Sequence, residues 1–170
     1  MRIGLISDTH ITHGRPALPQ KLIETLRTCD LILHAGDVSD ESGLRAVKAI
    51  GPEVAAVAGN SDRGTLGRVL PQSQIADTPA GAILVIHELP RILGGPRAVI
   101  SRLLAGHERP LAVVHGHTHC PDVRETTLID GRTAWVINPG SVTRARGHGR
   151  TFATMELDDG QVRVVIEPLD

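Results

Sequence analysis

Arg2-Ile3-Gly4-Leu5-Ile6-Ser7-Asp8-Thr9-His10 sets the pattern of the chain: an apolar run of strand length that ends in a carboxylate and an imidazole. The same event recurs four times. Leu31-Ile32-Leu33-His34-Ala35 runs into Gly36-Asp37, and Val54-Ala55-Ala56-Val57-Ala58 runs into Gly59-Asn60. Ala82-Ile83-Leu84-Val85-Ile86 ends in His87, and Leu111-Ala112-Val113-Val114-His115 runs into Gly116-His117-Thr118-His119. Short apolar runs bounded by turn residues read as strands buried on both faces. In open α/β sheets, sites are built outside the carboxyl ends of such strands. Five strands thus deliver two Asp, one Asn and four His to one region. Oxygen and imidazole donors suit divalent transition metals better than calcium or a thiolate zinc site. Seven donors are too many for one cation and fit two that share a carboxylate.

Working outward, the first half of the chain alternates strand and helix. Leu18, Leu22, Ile23 and Leu26 fall on one helical face. Glu41 to Ile50 carries Leu44, Ala46 and Val47 among polar residues and stops at Gly51-Pro52, which predicts a second helix. The strands these helices join are expected to be parallel. The pattern then changes to two short strands, Gln72 to Thr78 and Ala82 to His87, around Ala80-Gly81, and a helix from about Arg97 to Leu104. From Asp122 only strands are predicted: Val123 to Ile129, Arg132 to Ile137, Thr151 to Leu157 and Gln161 to Ile166, with hairpin turns at Asp130-Gly131 and Asp159-Gly160. One domain over residues 1–170 is expected, with helices outside and two packed sheets inside.

Composition bounds the function. The chain is 41% hydrophobic but has one Phe, one Trp and no Tyr, so its core must be aliphatic. A net charge of -1 gives no electrostatic reason to expect nucleic acid or a membrane surface as partner. Sixteen of the 18 basic residues are arginine, a skew that carries no functional argument. Two cysteines without a CxxC pair fit a reducing compartment. With no leader pattern and no apolar run of about 20 residues, a cytoplasmic protein is expected.

The ordered set DxH, GD, GN, H, GHxH resembles the calcineurin-like metallophosphoesterases from Met1 to about Arg150. Asn138-Pro139-Gly140-Ser141 adds the NPGS of the small prokaryotic phosphodiesterase branch. The resemblance implies an α/β fold, a four-layer α/β/β/α sandwich with two mixed β-sheets. It also implies a binuclear metal centre. One cation would be held by Asp8, His10, Asp37 and His119, the other by Asp37, Asn60, His87 and His117, with Asp37 bridging. Asp37, Asn60 and His117 would be catalytic. A metal-bridging hydroxide would attack the phosphorus in line, with no phosphoenzyme. Mn²⁺ is the first choice of metal, and Ni²⁺, Fe²⁺, Co²⁺ or Zn²⁺ also suit mixed Asp/His sites.

Two positions depart from the family pattern. Many members read GNH where this chain has Gly59-Asn60-Ser61, which removes an obvious general acid. Relatives usually read HGH where this chain has His87-Glu88-Leu89-Pro90, so the second His is replaced by Leu89. Outside the motifs, His34 and His115 read as supporting or core histidines, His13 as a loop residue within reach of substrate, and His107 and His148 as surface residues. Cys29 and Cys120 read as structural, and Trp135 as core or sheet packing. Asp40 and Asp62 read as loop-stabilising acceptors, and Asn138, Gly140 and Ser141 as turn formers under the cleft. Arg144, Arg146 and Arg150 form either a solvated loop or a phosphate-recognition patch, of which Arg144 and Arg146 are the substrate-binding candidates. Arg91 and Gly94-Gly95 form either a cleft rim or an ordinary loop.

The expected activity is that of a hydrolase: a metal-dependent phosphodiesterase acting on a small phosphodiester or nucleotide. The alternatives are a phosphomonoesterase, a nuclease, or a metal-binding scaffold such as the retromer subunit of this fold. A homo-oligomer is compatible with the sequence.

Overall fold

The computed structural model describes residues 1–12, 18–62, 64–90 and 95–170. His13, Arg91 and Gly94, singled out above, lie outside the described residues. In chain order the elements are β1 (Arg2–Ile6), α1 (Gln20–Leu26), β2 (Leu31–His34), α2 (Glu41–Lys48), β3 (Glu53–Ala56), α3 (Leu66–Val69), β4 (Ser73–Thr78), β5 (Gly81–Ile86), α4 (Gly95–Leu103), β6 (Pro110–Val114), β7 (Asp122–Thr127), β8 (Thr133–Asn138), β9 (Thr151–Asp158) and β10 (Gln161–Pro168).

They form two mixed five-stranded sheets, ordered β10-β9-β1-β2-β3 and β4-β5-β6-β8-β7. The βα units give the parallel pairs: Ile3 lies beside Leu31, and Ile32 beside Val54. The hairpins give the antiparallel ones, β9 with β10 and β4 with β5. Alternation along each strand makes the layers, because successive side chains point to opposite faces. Ile3 and Leu5 of β1 meet Ile83 and Val85 of β5, Val114 of β6 and Met155 of β9 between the sheets. On the outer face of the first sheet, Ile32 and Phe152 pack on Leu22, Leu26 and Val47 of α1 and α2. On the outer face of the second, Leu84, Val113 and Val136 pack on Val99 and Ile100 of α4. The expected α/β/β/α order is the one observed.

The lack of aromatics is met as expected: aliphatic side chains fill the space between the sheets, with Trp135 packed at its margin. Burying each stabilises by about 1.5–3 kcal/mol. Leu22→Ala would cost about 2–5 kcal/mol.

Local signals explain the helix ends. Asp40 caps α2 by accepting from the Ser42 and Gly43 N–H groups, with Glu41 in the first turn and Lys48 in the last; both charges suit the helix dipole. The helix stops at Lys48, two residues short of the predicted Ile50, and α3 was not predicted at all. Its four residues are too few to show a period. No helix among the described residues is long and apolar enough to cross a membrane.

Candidate metal centre

The five motif strands end at one edge of the sandwich, and their loops converge there. Backbone bonds knit them: Asp8 N–H donates to Gly36 O, His10 N–H to Asp37 O, and Gly116 N–H to His87 O. Across the sheets, His117 N–H donates to Asp8 Oδ2 at 3.0 Å. All seven candidate residues come together. His119 Nε2 lies 3.1 Å from Asp8 Oδ1, and His10 Nε2 lies 3.8 Å from it. The Asp37 carboxylate faces both ways, with Oδ2 3.6 Å from His10 Nε2 and Oδ1 3.4 Å from His87 Nε2. Asn60 Oδ1 sits 2.9 Å from His87 Nε2 and 2.8 Å from His117 Nδ1.

The histidine tautomers decide what this cluster can hold. His119 Nδ1–H donates to Arg144 O at 3.0 Å and His87 Nδ1–H to Ala35 O at 2.8 Å. Each ring therefore turns a bare Nε2 lone pair inward. His119 Nε2 then confronts Asp8 Oδ1, and His87 Nε2 confronts Asn60 Oδ1. Lone pairs this close need a cation between them. Asp8 Oδ1 and His10 Nε2 are buried with no hydrogen-bond partner, a costly state unless an ion satisfies them. Two donor groups, Asp8/His10/His119 and Asp8/Asp37/His87, each place their atoms within 4.8 Å of one another. Carbonyl-bound imidazoles are also the usual support for metal-facing histidines. The donor set fits divalent cations.

A second layer holds these groups in place. Asp62 accepts from the N–H groups of Asp37, Ser39 and Gly59 and so ties two of the loops, as expected of an acceptor there. Ser61, whose sequence position signals only a missing acid, supports Asp37. Its N–H donates to Asp37 Oδ1 at 2.7 Å and its hydroxyl to Asp37 Oδ2 at 2.8 Å. Ser7 Oγ lies 2.7 Å from Asp8 Oδ2 and from Gly140 O. Asn138 Nδ2–H donates to Gly116 O and Thr118 Oγ1, and Ser141 donates to Asp8 O. The turn-forming roles expected of Asn138 and Ser141 are seen in their local bonds: Gly140 N–H donates to Asn138 Oδ1 and Arg144 N–H to Ser141 Oγ. His34, fully buried, accepts from Gly36 N–H at Nδ1, so its Nε2–H donates to Thr9 Oγ1 at 3.0 Å.

The backbone here is strained. Asp8, His10, Asp37, His117 and His119 all have φ between 45° and 69°, a region that L-residues other than Gly seldom occupy. The motif glycines make room for them. A Cβ on Gly59 would collide with the N and Oδ1 of Asp37, and one on Gly116 would lie 2.6 Å from Asp8 Oδ2.

Burial dominates the electrostatics. It raises the Asp8 carboxyl, outweighing the Ser7 hydroxyl and His119. At Asp37 burial also raises, but the Ser61 N–H, His87 and the Ser61 hydroxyl outweigh it and the net shift is downward. Burial lowers His10 to about 4, with Arg144 and Arg146 pushing the same way, and lowers His34 to about 3. His115, also lowered to about 4 by burial, leaves its Nε2 without a partner and is not the satisfied core histidine expected.

Arg144 lines a cleft of about 280 Å³ with His10, Thr12, Ser39 and Ser61. Arg146 is exposed near it, whereas Arg150 turns away to pair with Asp170. Cys29 is buried, as a structural residue would be, while Cys120 is only half-buried. His148 is exposed and His107 half-buried.

Comparison with known proteins agrees with this fold. Residues 1–160 match the calcineurin-like phosphoesterase superfamily domain. The chain belongs to that superfamily, whose members depend on metal. It is 33% identical over 159 residues, 94% of its length and 77% of the relative's, to a probable metallophosphoesterase of Methanocaldococcus jannaschii. Among solved structures it resembles an archaeal phosphodiesterase, with TM-score 0.72 and 19% identity over 98% of this chain and 100% of that one. It also resembles wild-type Vps29 of Entamoeba histolytica complexed with Zn²⁺, with TM-score 0.70 and 20% identity over the whole of both chains.

Proposed function

We propose that this phosphoesterase is a phosphodiesterase with two divalent cations, acting on a small phosphodiester or nucleotide. The observation that carries the reading is the convergence of bare lone pairs on the two sides of Asp37. Asp8, His10, Asp37 and His119 would hold one cation, and Asp37, Asn60, His87 and His117 the other, with Mn²⁺ the first choice. Such cations supply an acidified water and neutralise phosphate oxygens.

The protein's own groups then have defined tasks. Asp37 faces both halves of the cluster, and Ser61 fixes both of its oxygens. Asn60 and His117, on the open side, meet the incoming phosphate. Arg144 and Arg146 would bind its free oxygens as forked donors. What the chain lacks is an acid for the leaving group. Ser61 stands where an imidazole would be, and a hydroxyl is a poor proton donor at neutral pH. That favours esters whose leaving group departs readily as an anion.

The test is hydrolysis of a phosphoester panel by metal-stripped protein refilled with single cations. Bis(p-nitrophenyl) phosphate should be cleaved best, aryl monoesters less well and alkyl monoesters scarcely. Rates should fall steeply as leaving-group pKa rises. Efficient cleavage of alkyl monoesters with a flat dependence would favour the phosphomonoesterase reading, and no turnover with any cation would favour a scaffold.

A further inference from the structure

A second cleft, of about 340 Å³, opens on the other side of the cluster from Arg144. Asn60 and His87 form part of its wall, so it is continuous with the proposed metal centre. Its remaining lining differs in character from the arginine cleft. Ala58, Ile86 and Leu103 give it apolar surface, Gln72 and Ser73 offer hydrogen bonds, and Glu88 stands at its lip. Leu103 is 41% exposed, an apolar side chain of α4 left facing this opening. Glu88 also lies 3.8 Å from His117 Nε2, which places its carboxylate beside the open side of the cluster.

The two clefts thus differ in charge. One carries Arg144, with Arg146 close enough to disfavour a proton on His10. The other carries a carboxylate and, among the described residues, no Arg or Lys in its lining. A phosphoryl group centred between Asp37, Asn60 and His117 has substituents that diverge toward both. Its anionic oxygens are drawn to the arginines and repelled by Glu88. An organic substituent gains on the Glu88 side, where apolar surface is available and a second negative charge is not welcome.

We infer that this cleft is the binding subsite for one organic arm of the substrate, an arm that is uncharged or cationic and partly apolar. The inference rests on the phosphodiesterase reading and deepens it. A phosphodiester can direct one ester arm here while its free oxygens face Arg144, and binding energy from the arm favours large substituents over small ones. Glu88, at the position where relatives usually carry the Gly of HGH, is then the residue that selects the charge of that arm.

Non-hydrolysable monoanions separate the subsite from the rest of the reading. Zn²⁺-loaded protein with ¹³C-methyl-labelled leucine is titrated with dimethylphosphinate and with diphenylphosphinate, using calorimetry for affinity and the Leu103 methyl shifts for location. Diphenylphosphinate should bind about tenfold tighter and should move the Leu103 methyls. Leu103→Glu, on an exposed helix position that tolerates change, should erase that advantage and leave dimethylphosphinate within about twofold. Glu88→Gln should weaken methyl(4-aminomethylphenyl)phosphinate about threefold relative to diphenylphosphinate, and an unchanged ratio would overturn the charge selection. If dimethylphosphinate binds but the phenyl arms add nothing, or Leu103 does not respond, the subsite is overturned while the metal centre stands. If dimethylphosphinate itself does not bind, the phosphodiesterase reading falls and takes the subsite with it.

Discussion

The two halves of the cluster are built from similar residues and differ in burial. Around Asp8, His10 and His119 the side chains are 0%, 5% and 1% exposed. Around Asn60 and His117 the site opens, and the His117 side chain is 39% exposed. The sealed half keeps Asp8 Oδ1 and His10 Nε2 without partners. In the other half Asn60 Oδ1 lies between His87 and His117, and water can reach the His117 ring. An uncompensated buried polar atom costs about 1–3 kcal/mol, and an exposed one costs little. An unfilled donor set therefore costs more in the sealed half than in the open one.

The largest expected effect comes from removing the residue both halves share. Asp37→Ala should cut turnover by at least ~10²–10³-fold, the scale of losing one preorganised charge, while circular dichroism shows the fold retained. Full activity in this variant would break the scheme.

The halves should then separate in metal binding. A divalent cation at a hundred times its dissociation constant should stabilise the protein by about 2.7 kcal/mol, seen as a rise in Tm. Asp8→Asn should abolish most of that rise, whereas Asn60→Ala should keep it and lose only a weaker second equivalent in calorimetry. Equal losses in both variants would erase the distinction.

Ser61→Ala tests the hinge between the halves. It removes the hydroxyl bond to Asp37 Oδ2 and keeps the backbone bond to Oδ1. Metal affinity should fall about 10–100-fold, as for other groups that orient a ligand, and the dependence on leaving-group pKa should stay as steep. A flatter dependence would mean that Ser61 does move a proton.

The smallest effect is on acid stability of the metal-free protein. His34 unfolded titrates near its usual 6.5 and folded near 3. The depressed value means its stabilisation is complete above pH 6.5 and is lost as pH falls toward 3, at up to about 1.4 kcal/mol per pH unit. His34→Gln should flatten that acid limb in pH-dependent denaturation, at the cost of some stability at pH 7. An unchanged limb would show that other groups dominate it.

Much of this was legible in the sequence. The five motif strands could be read because each is a short apolar run ended by Gly or a charged group, and their shared direction follows from the βα units. The late strands could be read as hairpins, but not their allegiance. β7 and β8 complete one sheet and β9 and β10 the other, which no residue pattern in the hairpins signals. The seven donors could be found by type, but not the tautomers, since the carbonyls of Ala35 and Arg144 that fix them belong to loops distant in sequence. Ser61 and Ser7 were missed as supports for the carboxylates because a serine beside a carboxylate is common everywhere. In the sequence Glu88 is legible only as part of a departure from HGH. Its meaning depends on a cleft formed with Gln72, Ser73 and Leu103, which are remote from it in the chain.

The left-handed backbone at Asp8, His10, Asp37, His117 and His119 has a consequence for inheritance. Those conformations are the natural home of glycine and asparagine. Replacing one of these residues by Gly relieves the backbone strain at that position, which offsets part of the cost of the hydrogen bonds lost. Selection on stability alone would let the centre erode while the sandwich persisted. A descendant freed from metal chemistry would be expected to keep its shape and to shed its donors first.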